Sequence, residues 1–308
     1  MATPPSENSA STVSSSFDLE RIGFGPFFAQ QLASFDPGLV AARIAIAHGE
    51  SYVAWTEAGV GKAIIAGRRL GEWKASEERP AVGDWVAGTP SSELGGLLIE
   101  RRLERRTCLL RQAAADRPDL QVIAANVDVV GIVSALGDGD GKHERWLVND
   151  ARIGRYLTAV ERSGARPLLI VNKCDLHPDP PSVTARLRES FPAVPVVALS
   201  ATQREGLDEL GPWLGVGETL VVVGMSGVGK STLVNALLGR DAQRVGDVRD
   251  RDDRGRHTTT HRELFVLPGG ALLIDTPGMR EMTLWDGEPD GPSISTGRPK
   301  GGRRFRRG

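Results

Sequence analysis

The stretch that decides the fold is Thr219-Leu-Val-Val-Val-Gly224-Met-Ser-Gly-Val-Gly229-Lys230-Ser231. A β-forming run precedes a match to G-x-x-x-x-G-K-[ST], and the following residues to Leu238 predict a helix. A strand, a Gly-rich turn and a helix in this order place backbone N–H groups and the helix N-terminus around one anion. The alternative is a Gly-rich turn that binds nothing. We expect nucleotide phosphates to contact Gly224, Met225, Ser226, Gly227, Val228, Gly229, Lys230, Ser231 and Thr232.

A second strand ends in Asp275-Thr-Pro-Gly278, a D-x-x-G motif. A carboxylate at this position can hold Mg²⁺ through water, and the Gly278 N–H can sense a γ-phosphate. Three threonines, Thr258 to Thr260, lie between the two motifs. The predicted Mg²⁺ ligands are therefore Ser231, Thr259 and Asp275, with no metal other than Mg²⁺. The alternative for the threonines is a β-forming edge.

A third motif, Asn172-Lys173-Cys174-Asp175, follows the apolar strand that ends at Val171. Asp175 can accept hydrogen bonds from N1–H and the 2-amino group of guanine, a donor pair that adenine lacks. Lys173 is expected to pack over the base, and Asn172 to tie this loop to the phosphate loop. The motif favours GTP and GDP over ATP. A capped strand-to-helix turn, or a P-loop ATPase or kinase, is the alternative.

Ser200-Ala201 follows another strand, and a backbone N–H there can donate to guanine O6. In ordinary GTPases the phosphate loop comes first, and the base-reading motifs come last. Here Asn172 and Ser200 precede Gly224. Each motif keeps its local context, so the order predicts a circular permutation of one parallel sheet.

The remaining composition sets limits on the class of protein. The chain has 308 residues, 40% hydrophobic and 25% charged, and a net charge of −1, so it is not a polycation. No apolar run approaches the roughly 18 residues of a membrane span. Two distant cysteines, Cys108 and Cys174, exclude a disulfide scaffold and favour the cytoplasm.

Five short apolar stretches between residues 39 and 101 predict a small OB-fold barrel, with another small barrel or an SH3-like sheet as the alternative. The predicted fold class is therefore β plus α/β, an N-terminal OB-fold barrel followed by a circularly permuted P-loop GTPase domain. The expected organisation is a disordered tail, the barrel domain, the GTPase domain and a disordered Arg-rich tail, over residues 1–17, 18–115, 116–285 and 286–308.

Over about residues 20–285 the chain resembles the RsgA (YjeQ) family. The resemblance rests on the motif order and on strings such as Ala81-Val-Gly-Asp-Trp85-Val, Gly255-Arg-His257-Thr-Thr-Thr and Ile274-Asp-Thr-Pro-Gly-Met-Arg-Glu281. It implies a cytoplasmic GTPase that acts late in assembly of the small ribosomal subunit, contacts rRNA through the barrel and is stimulated by the subunit. A monomer and no membrane association are expected.

The resemblance also implies a helical C-terminal domain that holds zinc through three cysteines and one histidine. Here no cysteine follows Trp285, so those ligands, and with them the domain, are expected to be absent. A GTP-gated rRNA clamp with little turnover is then the alternative function. The tail is either a basic RNA-binding arm or a stretch without function; its cations are Arg298, Lys300, Arg303, Arg304, Arg306 and Arg307.

The predicted reaction is in-line attack of water on the γ-phosphoryl group of GTP. The predicted catalytic residues are Lys230, Thr259 and His257, the last because an imidazole can orient water. Met279 follows the D-x-x-G glycine and cannot orient water, so slow intrinsic turnover is expected. Arginines between Glu100 and Arg106, with Arg111 beyond, are the best candidates for RNA contact, although a solvated charged face is the alternative.

Overall fold

The computed structural model describes residues 16–73, 77–112, 120–137, 148–239 and 262–276. Three predicted site residues lie outside these ranges, namely His257, Thr259 and Gly278. Residues 1–15 of the predicted N-terminal tail and the whole predicted Arg-rich tail also lie outside them. Within them, no helix has the length and apolar composition needed to cross a bilayer.

The first unit is a closed barrel of five strands among the described residues. They are β1 (Val40–His48), β2 (Ser51–Thr56), β3 (Gly59–Ile65), β4 (Trp85–Ser91) and β5 (Gly96–Arg102). The pairing order is β1-β2-β3-β5-β4, and β4 pairs again with β1, which closes the barrel. The OB-fold prediction is confirmed.

Short helices flank the barrel strands. A 3-10 helix (Glu20–Ile22) and helix α1 (Pro26–Ala33) precede β1, and helix α2 (Gly67–Leu70) follows β3. Strand β3 runs parallel to β5, and a Cβ atom at Gly96 would collide with the Lys62 carbonyl oxygen. Glycine at position 96 therefore permits the close strand contact that this closure needs.

The second unit is an α/β sheet whose central strands are parallel. Its order is β10-β9-β8-β11-β13, formed by β8 (Val129–Ala135), β9 (Arg166–Asn172), β10 (Val196–Ala198), β11 (Thr219–Gly224) and β13 (Leu272–Asp275). These strands are buried along most of their length, which matches the continuous apolar runs of the sequence. The predicted permuted sheet is confirmed.

Three helices pack near these strands in the described ranges. They are α3 (Asp150–Ser163), α4 (Pro180–Ser190) and α5 (Lys230–Leu238), with 3-10 helices at Cys174–Leu176 and Leu207–Trp213. Asn149 caps α3 by accepting from the Arg152 N–H, and Asp179 caps α4 by accepting from the Ser182 N–H. The helical periodicity of residues 150–163 and 230–238 predicts the bounds of α3 and α5, whereas no pattern in the sequence predicts α4.

Two further pairings were not predicted either. Strands β6 (Cys108–Gln112) and β7 (Leu120–Ala125) form an antiparallel ribbon between the two units. Strand β12 (Glu263–Val266) runs antiparallel to β13 and also pairs with β1 at Ile46. The barrel and the α/β sheet are consequently continuous through the β1–β12 contact. The predicted domain boundary between residues 115 and 116 falls between the two strands of the ribbon.

Buried polar groups also join the units. The guanidinium of Arg43 in β1 donates to the Thr219 hydroxyl at 2.7 Å and to the Ile22 carbonyl, and it lies 5.6 Å from the Trp85 ring centroid. Asp128 accepts from the Thr219 N–H at 2.8 Å. Both contacts are at the start of β11, at the end of the sheet opposite to the Gly-rich loop.

Several charged residues between Glu100 and Arg106 form ion pairs inside the protein. Arg105 is buried and makes a two-pronged ion pair with the fully buried Asp84, at 2.7 and 2.8 Å. Glu100 is buried beside Arg68, and Arg106 pairs with Asp128. Arg105 is therefore not available to RNA, which corrects the expectation for that residue. Charge spacing in the sequence did not reveal which arginines have buried partners.

Candidate nucleotide-binding site

The Gly-rich loop lies between β11 and α5, and its backbone needs glycine. Gly224, Gly227 and Gly229 have φ values of 147°, 83° and 91°, in the region that L side chains rarely adopt. A Cβ atom on Gly224 would collide with the Val133 carbonyl oxygen, and one on Gly229 with the Asn172 side chain. The loop is consequently pressed against β8 and the Asn172 loop.

Lys230 begins α5, and its side chain turns back over the loop. Its ammonium group donates to the Gly224 and Met225 carbonyl oxygens at 2.8 and 2.5 Å. Partial burial lowers the pKa of Lys230 from its ordinary value. The Lys230 ammonium group therefore lies beside the N-terminus of α5, a position at which a bound anion is favoured. Ser231 and Thr232, in the first turn of α5, are exposed.

Asn172 connects three loops that are far apart in the sequence. Its side-chain amide donates to the Val228 carbonyl of the Gly-rich loop at 2.9 Å, and its amide oxygen accepts from the Ala201 N–H at 3.0 Å. The side chain is buried, so both bonds are shielded from water. The Asn172 loop, the Ser200-Ala201 turn and the Gly-rich loop therefore meet at one end of the sheet.

Lys173 adds a second bridge between the same loops. The residue has a φ of 63°, and its ammonium group donates to the Gly227 carbonyl at 2.7 Å. This left-handed conformation turns the chain out of β9 and into the 3-10 helix that contains Asp175. Asp175 is exposed. Within the described ranges no hydrogen bond to another residue occupies the Asp175 carboxylate, so it can accept from a base.

The Ser200-Ala201 turn is held rigidly. Ser200 and Glu205 exchange backbone hydrogen bonds of 3.0 and 3.1 Å, and the Ser200 hydroxyl accepts from the Gln203 N–H. Both Ser200 and Ala201 are buried. The Cys174 N–H donates to the Leu199 carbonyl at 3.2 Å, which fixes this turn next to the Asp175 loop.

Asp275 ends β13, which pairs with β11 through Val221 and Ile274. Its carboxylate is half-buried, and burial raises its pKa from the ordinary value. The described residues hold no group of three or more His, Cys, Asp or Glu side chains that would cage a metal. The Asp275 carboxylate and the Ser231 hydroxyl are hard oxygen donors, which suit Mg²⁺ when phosphate oxygens complete its coordination.

The structure thus brings together the predicted residues of the base loop, the Ser200-Ala201 turn and the Gly-rich loop. His257, Thr259 and Gly278 lie outside the described residues. Sequence reasoning missed Arg152, whose guanidinium in the first turn of α3 contacts the Met225 thioether. No local pattern in the sequence indicates this contact, because Arg152 and Met225 are 73 positions apart.

Comparisons with known proteins agree with this geometry. The family described as RsgA GTPase matches residues 102–285. A "Small ribosomal subunit biogenesis GTPase RsgA" of Methanosarcina acetivorans is 47% identical over 209 residues, 68% of this chain and 54% of that protein. Relatives with the same name are 42% identical in Opitutus terrae and 40% in Syntrophotalea carbinolica. The match to the Opitutus protein covers 87% of this chain and 73% of that protein. The match to the Syntrophotalea protein covers 91% of this chain and 76% of that protein.

Two solved structures share the fold. YjeQ from Thermotoga maritima has a TM-score of 0.57 and 24% identity, covering 78% of this chain and 75% of its own. YloQ, described as a circularly permuted GTPase, has a TM-score of 0.54 and 22% identity, with 81% and 75% covered. At these identities the likeness concerns the fold, and it supports the permuted strand order.

Proposed function

This chain belongs to the RsgA GTPase family, and from this premise we propose that it hydrolyses GTP and assists maturation of the small ribosomal subunit. The names of its relatives support this role. We further propose that the subunit stimulates hydrolysis and that the chain contacts its rRNA in the cytoplasm. The chain spans about half of the Methanosarcina relative and about three quarters of the other two. The monomeric state remains a prediction.

In the proposed reaction, water attacks the γ-phosphorus of GTP in line with the bond to the leaving β-phosphate oxygen, which yields GDP and phosphate. Lys230 is proposed to neutralise charge on the β- and γ-phosphates. Ser231 and Asp275 are proposed to hold Mg²⁺, which would supply further charge stabilisation when bound. Thr259 and His257 are proposed as the residues that close over the phosphates and orient water.

Guanine specificity is assigned to Asp175, with Lys173 over the base and the Ala201 region contacting guanine O6. The Asn172 side chain supports this assignment most directly. It hydrogen-bonds the Gly-rich loop and the Ala201 backbone at once, so the base-reading and phosphate-binding loops are mutually fixed. A fixed spacing between the two loops suits a ligand that has both a base and phosphates.

The experiment that tests the proposal is GTP hydrolysis by the purified chain with and without isolated small ribosomal subunits. We expect slow intrinsic turnover and clear stimulation by subunits. Lys230→Ala should reduce both rates by at least about 100-fold, because transition-state charge is no longer neutralised. Lys62→Ala, at an exposed barrel position far from the Gly-rich loop in the sequence, is the control that should leave the intrinsic rate unchanged.

Single-turnover measurements separate hydrolysis from product release. A chain that binds GTP and subunits but hydrolyses no faster with subunits than without them would behave as the nucleotide-gated clamp. Equal competition by ATP would contradict the guanine assignment and favour a P-loop ATPase.

A further inference from the structure

Two arginines lie together where β12 passes the β6–β7 ribbon. Arg262 directly precedes β12, and its guanidinium donates to the Val122 carbonyl of β7 at 3.0 Å. Arg111 lies on β6, and its Nε donates to the Gln121 side chain at 2.8 Å. Residues 111 and 121 are paired across the ribbon, next to the pair of residues 110 and 122. The two guanidinium groups therefore share one surface although 151 positions separate them.

This pair has no acidic partner in the part of the chain that the structure describes. Neither arginine takes part in the ion pairs found there, which use other arginines, for example Arg105 with Asp84. Burial, and secondly the positive charge of Arg111, lower the pKa of Arg262 to about 10. Arg262 therefore stays protonated at neutral pH, and the positive charge of Arg111 is held close to it.

Each guanidinium has donors that remain available. A guanidinium carries five N–H donors, and the bonds described above use one on each arginine. No nitrogen of either residue is buried without a partner, so the remaining donors reach solvent. Two adjacent forks of N–H donors fit the oxygens of a phosphate group and would gain from its negative charge.

We propose that Arg111 and Arg262 form a phosphate-binding site for the backbone of small-subunit rRNA. The inference rests on the proposed function, which supplies an RNA-rich partner. The neighbouring residues Gln121 and Val122 offer no aromatic ring on which a base would stack, so the contact is with the backbone. Because the ribbon lies between the barrel and the sheet, this site extends the RNA-facing surface beyond the barrel.

The site is also close in the fold to the predicted Mg²⁺ ligand. Glu263, the residue after Arg262, is paired with Asp275 across β12 and β13. A phosphate bound by Arg262 would thereby restrain the strand that runs beside Asp275. This connection gives the site a route to influence hydrolysis as well as binding.

The test measures binding of the full chain to isolated small subunits at several salt concentrations, in the presence of a GTP analogue that is not hydrolysed. The variants are Arg111→Gln, Arg262→Gln and Arg262→Lys. Arg188→Gln is the matched control, because Arg188 also donates to a strand carbonyl, that of Val196, but lies by β10 at the other edge of the sheet. Thermal unfolding verifies folding, and GTP affinity without subunits is measured separately for each variant.

We expect each Gln variant to bind subunits about tenfold more weakly and to lower the slope of log affinity against log salt by about one. Arg262→Lys should keep the slope while losing part of the affinity, since a lysine retains charge but not the fork. The control should bind like the unmodified chain.

Folded Gln variants that bind subunits with unchanged affinity and salt slope would overturn this inference alone. Weaker GTP binding without subunits would assign the phosphate to the nucleotide and overturn it too. If the unmodified chain fails to bind subunits, both the inference and the proposed function are wrong.

Discussion

At the scale of single residues, Asp175 is the position whose chemistry is tested most sharply. Asp175→Asn replaces an acceptor by a side chain that can donate to the 2-carbonyl of xanthine. We expect GTP affinity to fall by at least about 100-fold, since the N1–H and 2-amino donors of guanine lose their carboxylate acceptor, and xanthosine triphosphate to become the preferred ligand. Competition binding with the two nucleotides measures the change.

Asp179→Asn is the matched control for this substitution. Asp179 is exposed four residues further on and caps α4 through the Ser182 N–H, a role that asparagine fills equally well. Its nucleotide preference should not change. Unchanged GTP affinity in Asp175→Asn would show that the base is read elsewhere.

At the scale of elements, the Gly-rich loop depends on a backbone that only glycine adopts easily. Gly229→Ala places a Cβ atom against Asn172 at a φ of 91°. The strain, about 1–3 kcal/mol, must separate the loop from the Asn172 side chain. We expect at least about tenfold weaker GTP binding by calorimetry, together with a lower Tm.

Gly154→Ala provides the comparison within a helix. Gly154 lies in α3, where an added Cβ atom meets nothing within 4 Å. Alanine there should raise stability by about 0.5–1 kcal/mol, because it restricts the unfolded chain and favours the helix. If Gly229→Ala behaved like Gly154→Ala, the close approach of Asn172 to the loop would not matter for binding.

At the scale of the whole molecule, Arg43 links the barrel to the start of β11. Arg43→Met removes its bonds to Thr219 and Ile22 while keeping an apolar side chain of similar length. We expect unfolding free energy to fall by about 2–4 kcal/mol, because buried oxygens lose their donor. Urea unfolding followed by tryptophan fluorescence and far-UV circular dichroism measures the loss.

The two probes also report whether the units still unfold together. Trp55 and Trp85 are buried in the barrel, so fluorescence reports on the barrel once Trp146, Trp213 and Trp285 are replaced by Phe in every variant compared. Most of the helical signal comes from α3, α4 and α5. The unmodified chain should give coincident transitions, and Arg43→Met separated ones. Arg186→Met, whose ion pair with Asp150 is exposed on both sides, is the control and should cost less than about 1 kcal/mol. A similarly small cost for Arg43→Met would contradict the linking role.

The sequence predicted the features that depend on neighbouring residues. The Gly-rich loop, the helices from Asp150 and Lys230 and the five barrel strands all follow from local spacing and turn residues. The permuted order could also be inferred, because each motif keeps its own strand and loop. These properties are encoded within about ten residues, so an isolated stretch of sequence already contains them.

Only the tertiary structure determined which distant residues meet. The β1–β12 pairing, the ribbon and the Arg43–Thr219 bond join positions up to 217 residues apart. Whether an arginine is buried like Arg105 or solvent-facing like Arg68 depends on what packs against it. Periodicity within one segment carries no information about the partner of that segment. Long-range pairing and burial therefore decided the junction between the two units and the surface that we propose for RNA.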